Sequence, residues 1–453
     1  MITRSDQFEL EFGHEVLHLR TPEPVDILSL PDTPPLKNPR TTVQQSLSKP
    51  LAGHSLPELA RLAIQRKRDA RAVIVVSDNT RPVPYRGDDG ILEPVVDVLR
   101  DAGIGHVTIL VATGTHRPLT DAQLRSLLPD RLMDGRVTVM NHDCRDPAQL
   151  RLLGRTARGT EVWINRHYLD ADMKILTGLV EPHFMAGMSG GPKSICPGLV
   201  GEKVTYGFHG AAMIADPRAC SLNMDNNPCQ EEARAVAAMA GSDFAVNVTI
   251  NRGKRLTGVF AGELGAVHRA ACAKAAAEAA IAIEHPYDAV ITHAGFSGIN
   301  HYQAAKAAVE ASHAVRPGGL LVLAANHTDV DPVGGPNYRS LLPLLNELGP
   351  DGFDRRVLSP DWEFVPEQWE IQMWGRVFRK LGSRERLIYC SPRLTGSVFR
   401  ECDLPGMDGG IGIERLSGRD LAEVMVQRAI DRHGAGKTMA VLADGPYGVP
   451  TVP

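Results

Sequence analysis

Arg81, His116, His183, Lys193 and His209 are the residues of this chain whose types and spacing could do chemistry. His183 and Lys193 share one run, 181–198, Glu-Pro-His-Phe-Met-Ala-Gly-Met-Ser-Gly-Gly-Pro-Lys-Ser-Ile-Cys-Pro-Gly, and His209 follows it. Gly190 and Gly191 let backbone approach a ligand closely. Lys193 offers a point charge, or an amine for covalent attachment. A tight loop with a solvated lysine is the plainer reading. Arg81 stands in 77–84, Ser-Asp-Asn-Thr-Arg-Pro-Val-Pro. It either pairs with Asp78 or clamps a carboxylate or phosphate with its planar fork. His116 stands in 112–118, Ala-Thr-Gly-Thr-His-Arg-Pro. One loop histidine is ordinarily structural. Three of them after strand ends or glycine turns suit acid and base work on two faces of a substrate, with one ring left for a metal.

These segments need a scaffold that brings strand ends together. Apolar β-branched runs at 71–76, 106–112, 137–140 and 173–180 read as strands, with a helix at 91–102 ending before Gly103. An alanine-rich helix is expected at 263–283. The pattern then restarts, with strands at 289–292, 319–325, 387–390 and 439–442 and helices at 302–314, 365–381 and 421–433. The first 50 residues read as a short hairpin and an extended connection. Strands alternating with helices imply α/β architecture: two domains with mainly parallel sheets, and an active site in the cleft between them. The expected division is 1–280 for the catalytic and cofactor-binding domain and 281–420 for a second α/β domain. A return of the segment from about 420 to 453 to the first domain is left open.

At 453 residues, with 43% hydrophobic and 23% charged, the chain can bury a sizeable core. A net charge of −4 without a basic run argues against nucleic acid as a partner. No apolar run suggests a membrane span, and a cytoplasmic protein is expected. Seven scattered cysteines without a Cys-x-x-Cys pair fit a reducing compartment. Cys196 is read as a packed thiol, with a thiolate ligand or nucleophile as the alternative.

At these residues the chain resembles the lactate racemase family, the nickel-dependent hydroxyacid racemases and epimerases. The segments 77–82, 112–118 and 181–198 are similar to family segments in family order, and His209 lies 16 residues after Lys193. Asn227-Pro228, the 261–268 region with His268, Tyr302-Gln303 with Lys306, and Glu367-Gln368-Trp369 with Gln372 extend the resemblance into the second half. It implies a nickel-pincer nucleotide, a pyridinium mononucleotide whose ring carbon and two sulfurs hold nickel. His209 would then ligate the metal, and Lys193 could tether the cofactor, with Asp78, Gly190 and Gly191 beside it. His116 and His183 match the acid–base pair. Arg81, Gln303, Lys306, Ser77 and Trp369 match groups that hold or support a 2-hydroxy acid. Cofactor-maturation proteins are the implied partners.

Two other readings stand beside this one. A nicotinamide-type dehydrogenase would want a G-x-G-x-x-G after the first strand, which is absent. A non-catalytic nucleotide- or anion-binding protein would not need both histidines with Arg81. His293, Ser297, Asn300 and His301 make the region before the 302–314 helix polar, which hints at a substrate more polar or larger than lactate. Trp374 is expected in the core.

Overall fold

The computed structural model describes residues 1–413 and 415–452. The chain divides into two compact units, each assembled from separate stretches. The first takes residues 32–209 and 218–278. The second takes 1–31, 210–217 and the chain from Ala279 onward.

The first unit carries a six-stranded sheet in the order Leu256–Gly262, Phe244–Ile250, Met173–Leu179, Arg71–Ser77, His106–Ala112, Thr138–Asn141. Neighbours run parallel except the edge strand Leu256–Gly262, which turns back antiparallel on Phe244–Ile250. Ala72 to Val76 are all buried, which is why this central strand reads as an unbroken apolar run rather than an alternating one. Helices Leu56–Arg66 and Leu92–Asp101 bring Leu56, Ala60, Val95 and Leu99 into one core with Ile74, Val76 and Ile109. Ser55 starts the first of these helices with a capping box. Its hydroxyl accepts the Glu58 N–H, and the Glu58 carboxylate accepts the Ser55 N–H. The sheet order sets Met173–Leu179, Arg71–Ser77 and His106–Ala112 side by side and parallel, so their following loops leave from one edge.

The second unit carries a seven-stranded sheet in the order Ile2–Phe12, Glu15–Leu28, Met439–Leu442, Tyr287–His293, Val315–Ala324, Leu387–Cys390, Met407–Asp408. Only the first pair is antiparallel. Helix Gly418–His433 packs Leu421, Met425, Val426 and Ile430 into a core with Phe8, Leu10, Leu17, Val322 and Val441. Helix Gln368–Leu381 packs on His301–Ser312 and on Pro336–Val357, the latter broken at Gly349, whose φ is 68°.

This division departs from a split at 280 at both ends of the chain. The N-terminal hairpin belongs to the second unit because Asp26, Ile27 and Leu28 pair with Ala440, Val441 and Leu442. The C-terminal strand stays in that unit because it also pairs with Tyr287–His293. The helix expected at 263–283 ends at Ala279, where Ala280–Ala282 becomes a strand paired with Val449–Thr451. The helix expected from 365 starts at Gln368, because Glu367 is left-handed at φ 74°. Among the described residues no helix is long and apolar enough to cross a membrane.

Candidate active site

Three loops leave the shared sheet edge of the first unit. The loop after Arg71–Ser77 is fixed by Tyr85, whose hydroxyl accepts the Ser77 N–H at 2.7 Å. Thr177 Oγ1 donates to the Val75 carbonyl at 2.6 Å, so the Tyr85 hydroxyl is the donor in its 3.0 Å bond to Thr177. Asp78, one residue past the strand, is buried. Its Oδ1 accepts from the Thr80 N–H and hydroxyl, and its Oδ2 accepts from His116 Nδ1 at 2.7 Å. Burial would push this carboxyl up, but the His116 hydrogen bond and charge together with the Thr80 donors hold it below its ordinary value. A carboxylate only accepts, so His116 carries a proton on Nδ1, and when this largely exposed ring is neutral its lone pair is on Nε2.

Arg81 does not pair with Asp78. Its Nη1 donates to Glu181 Oε1 at 2.8 Å, with both side chains 29% exposed. That bond uses one of five guanidinium N–H groups. His183, two residues beyond Glu181, accepts the Met185 and Ala186 N–H groups on Nδ1 at 3.3 and 3.2 Å. A neutral His183 therefore carries its proton on Nε2. The two rings are held as opposite tautomers, one presenting a lone pair at Nε2 and the other an N–H.

The same loop continues through a 3-10 turn, Gly191–Ser194. Gly190 and Gly191 are left-handed, at φ 70° and 51°. A Cβ on Gly190 would lie 2.7 Å from Val180 Cγ2, and one on Gly191 would lie 2.3 Å from the His268 ring. Packing alone thus explains both glycines. His268 is buried and donates Nε2–H to the Ser189 carbonyl at 3.0 Å, and burial pushes it down to about 4. Lys193 Nζ sits 4.6 Å over the Phe208 ring. Cys196 is fully buried and its thiol is pushed up, first by burial, as a packed and inert sulfur.

His209 closes helix Glu202–Phe208, with Nδ1 3.0 Å from the Thr205 carbonyl and its ring edge-on to Phe208. The carbonyl fixes the proton on Nδ1, so Nε2 bears the lone pair. Burial first, then the Lys193 charge, pushes His209 down to about 3, which keeps it neutral at physiological pH. A neutral imidazole suits a borderline metal such as nickel. Among the described residues no group of three or more His, Cys, Asp or Glu could hold a metal. A metal on His209 would therefore take most of its donors from elsewhere than His, Cys, Asp or Glu side chains. Thr205 Oγ1, Gln230 Oε1 and Nε2, and Asn247 Oδ1 are buried without a hydrogen-bond partner.

Residues 12–221 match the family described as the lactate racemase N-terminal domain. A lactate racemase of Thermoanaerobacterium thermosaccharolyticum is 30% identical over 340 residues, 74% of this chain and 76% of that protein. The chain belongs to the lactate racemase family. A second member, the lactate racemase of Lactiplantibacillus plantarum, is 29% identical over 411 residues, 89% of each chain. The solved lactate racemase apoprotein from T. thermosaccharolyticum superposes with a TM-score of 0.79 at 25% identity, covering 98% of this chain and 100% of that one. The α/β class with mainly parallel sheets is the family fold.

Gln303, Lys306 and Trp369 lie in the second unit. Asn300 caps the helix that carries Gln303 and Lys306 by accepting the Gln303 N–H at 2.9 Å. Trp369 is buried and donates Nε1–H to the Tyr302 hydroxyl at 2.9 Å. Trp374 is fully buried and donates to Tyr338. The polarity expected of a substrate pocket around 293–301 is largely spent on the fold. His293 bonds the Ala443 carbonyl and the Gly295 N–H, and His301 Nδ1 bonds the Tyr338 hydroxyl. Sequence reasoning missed Glu181, Tyr85, Thr177 and Thr205 as members or supports of the site. Only Glu181 carried a signal, its place two residues before His183.

Proposed function

We propose that this chain is a 2-hydroxy acid racemase or epimerase working with a nickel-pincer nucleotide. Its family makes it an isomerase of the racemase type. The observation that carries the finer reading is the pair of oppositely set histidines, His116 and His183, on loops from one sheet edge. Inverting a stereocentre needs proton handling on two faces. When bound, the cofactor supplies acceptance and return of hydride at the substrate C2, and His209 and Lys193 are the residues that would hold it.

His116, oriented by Asp78, accepts the hydroxyl proton as C2 becomes trigonal and a 2-keto acid forms. His183 holds the substrate oxygen from its own side and serves the other enantiomer. Arg81 holds the carboxylate, so that turning of the keto acid exchanges its faces while the charge stays in place, and Gln303 and Lys306 are the further substrate-binding groups that the resemblance implies. Ser77 supports the loop through its Tyr85 bond, and Trp369 supports the second group by fixing Tyr302. Maturation proteins that build the cofactor are the expected partners.

The test is nickel analysis and intact mass on protein produced together with those maturation proteins, followed by incubation with single-enantiomer 2-hydroxy acids. Nickel near one per chain with loss of optical purity supports the reading. Nickel-loaded protein that leaves every acid optically pure sinks it.

A further inference from the structure

Arg81 and Glu181 are 100 residues apart in sequence, and their ion pair joins two of the loops that leave the sheet edge of the first unit. The strands before those loops are parallel neighbours, with Val75 opposite Leu176. Glu181 stands on a fixed backbone. Its N–H donates to Ser189 Oγ at 3.0 Å, and its carbonyl accepts the Ser189 N–H at 2.9 Å. The hydroxyl of Ser189, a buried residue, donates in turn to the Leu179 carbonyl at 2.8 Å. Inside this closed turn Pro182 and His183 pair antiparallel with Met188 and Gly187. The carboxylate that meets Arg81 is therefore carried by the same anchored backbone as the His183 ring.

The bond is monodentate, from Nη1 to Oε1 at 2.8 Å, and Nε and Nη2 bond nothing among the described residues. Nε–H and the Nη2–H beside it form the side-on fork that fits a carboxylate. Glu181 thus takes a donor outside that fork and leaves the fork whole. A partly exposed arginine without such a partner would spread over many rotamers, each placing the fork differently. We propose that Glu181 is a positioning residue: it holds the Arg81 guanidinium at a set place relative to His183, so that a substrate carboxylate meets a fork already in position. This rests on the reading of Arg81 as the carboxylate-holding group. Charge works the other way, because a carboxylate beside Arg81 repels an arriving one. With both side chains 29% exposed that repulsion is screened by water, and the saving in ordering outweighs it.

Glycolate is the probe, because it has the carboxylate and hydroxyl but no stereocentre to turn over. Its binding to nickel-loaded wild type, Glu181→Gln and Glu181→Ala is measured by calorimetry. Glutamine keeps an acceptor for Nη1 without the charge. Glu181→Ala is expected to bind about tenfold more weakly than wild type, the worth of one charge-assisted hydrogen bond. Glu181→Gln is expected to stay within about threefold of wild type. Equal weakening in both variants would make Glu181 a needed charge and not a support, and unchanged or tighter binding in Glu181→Ala would make it a bystander or a competitor. Each of these results overturns the proposal while sparing the Arg81 site. Absence of glycolate binding by nickel-loaded wild type overturns the Arg81 reading and the proposal together. Nitrogen-15 relaxation on arginine-labelled protein gives a check that needs no change at Glu181. The Arg81 Nε–H, identified by its loss in Arg81→Lys, is expected to be ordered before glycolate is added, with an order parameter above about 0.6, and to shift when it binds. A freely mobile Arg81 Nε–H in the glycolate-free holoenzyme overturns the proposal.

Discussion

His116 Nδ1 meets Asp78 Oδ2 at 2.7 Å across two adjacent strand ends, so a buried acid decides which nitrogen of an exposed ring is basic. Parallel pairing of Ser77 with Ala112 aligns those ends. The chemistry of the ring is thus set by sheet register.

Replacing Asp78 with Asn removes that control while keeping the shape. Turnover of the 2-hydroxy acid substrate is expected to fall about 10²- to 10⁴-fold, because the ring loses its fixed tautomer and its charge partner. Steady-state rates on nickel-loaded protein measure it. A loss of less than threefold, on the order of RT, would mean the pairing is only structural.

The same carboxyl carries a pH signature. Its folded pKa is depressed, so its contribution to stability is present above the unfolded value and is lost as pH falls through the folded one. Denaturant melts of wild type and Asp78→Asn should therefore converge in acid and separate toward neutrality. Parallel curves at all pH values would contradict this.

Gly191→Ala should destabilise the first unit by about 2–4 kcal/mol, since its Cβ would strike the His268 ring and its φ is positive. His268→Ala in the same protein should recover part of the loss by making room, with the backbone strain remaining. Thermal melts of the single and double variants give the coupling.

Tyr85→Phe leaves the Ser77 N–H without its acceptor inside the fold, at an expected cost of about 1–3 kcal/mol. Amide exchange at Ser77 should speed up in proportion. Unchanged protection there would show that another acceptor replaces the phenol.

His209→Ala should abolish nickel retention, with a stability loss of about 0.5–3 kcal/mol that includes its bond to the Thr205 carbonyl and its edge contact with Phe208. Metal analysis beside a thermal melt separates the two effects.

Much of the first unit was legible because its parallel strands are buried on both faces and stand out as apolar runs. The loops with Arg81, His116 and His183 could be read as one site since ligands gather at such strand ends, and the strand order sets them together. What escaped were relationships carried by distant pairing. Nothing local in Glu15–Leu28 announces its partner more than 400 residues later. The pair Arg81–Glu181 spans 100 residues, and Asp78 was the nearer candidate for Arg81 on spacing alone. The hairpin Leu150–Arg155 with Glu161–Asn165 and the strands Phe244–Ile250 and Leu256–Gly262 went unread. The polar residues at 293–301 misled for the opposite reason, since a buried helix start and strand end need polar partners of their own.

Glu15–Leu28 leaves the ribosome more than 400 residues ahead of its partner Met439–Leu442. The stretch 32–278 can condense during synthesis, whereas the hairpin must wait for that distant strand with one edge unpaired. Completion of the second unit is thus a late closing step, and the interval before it is when a chaperone would have most to cover.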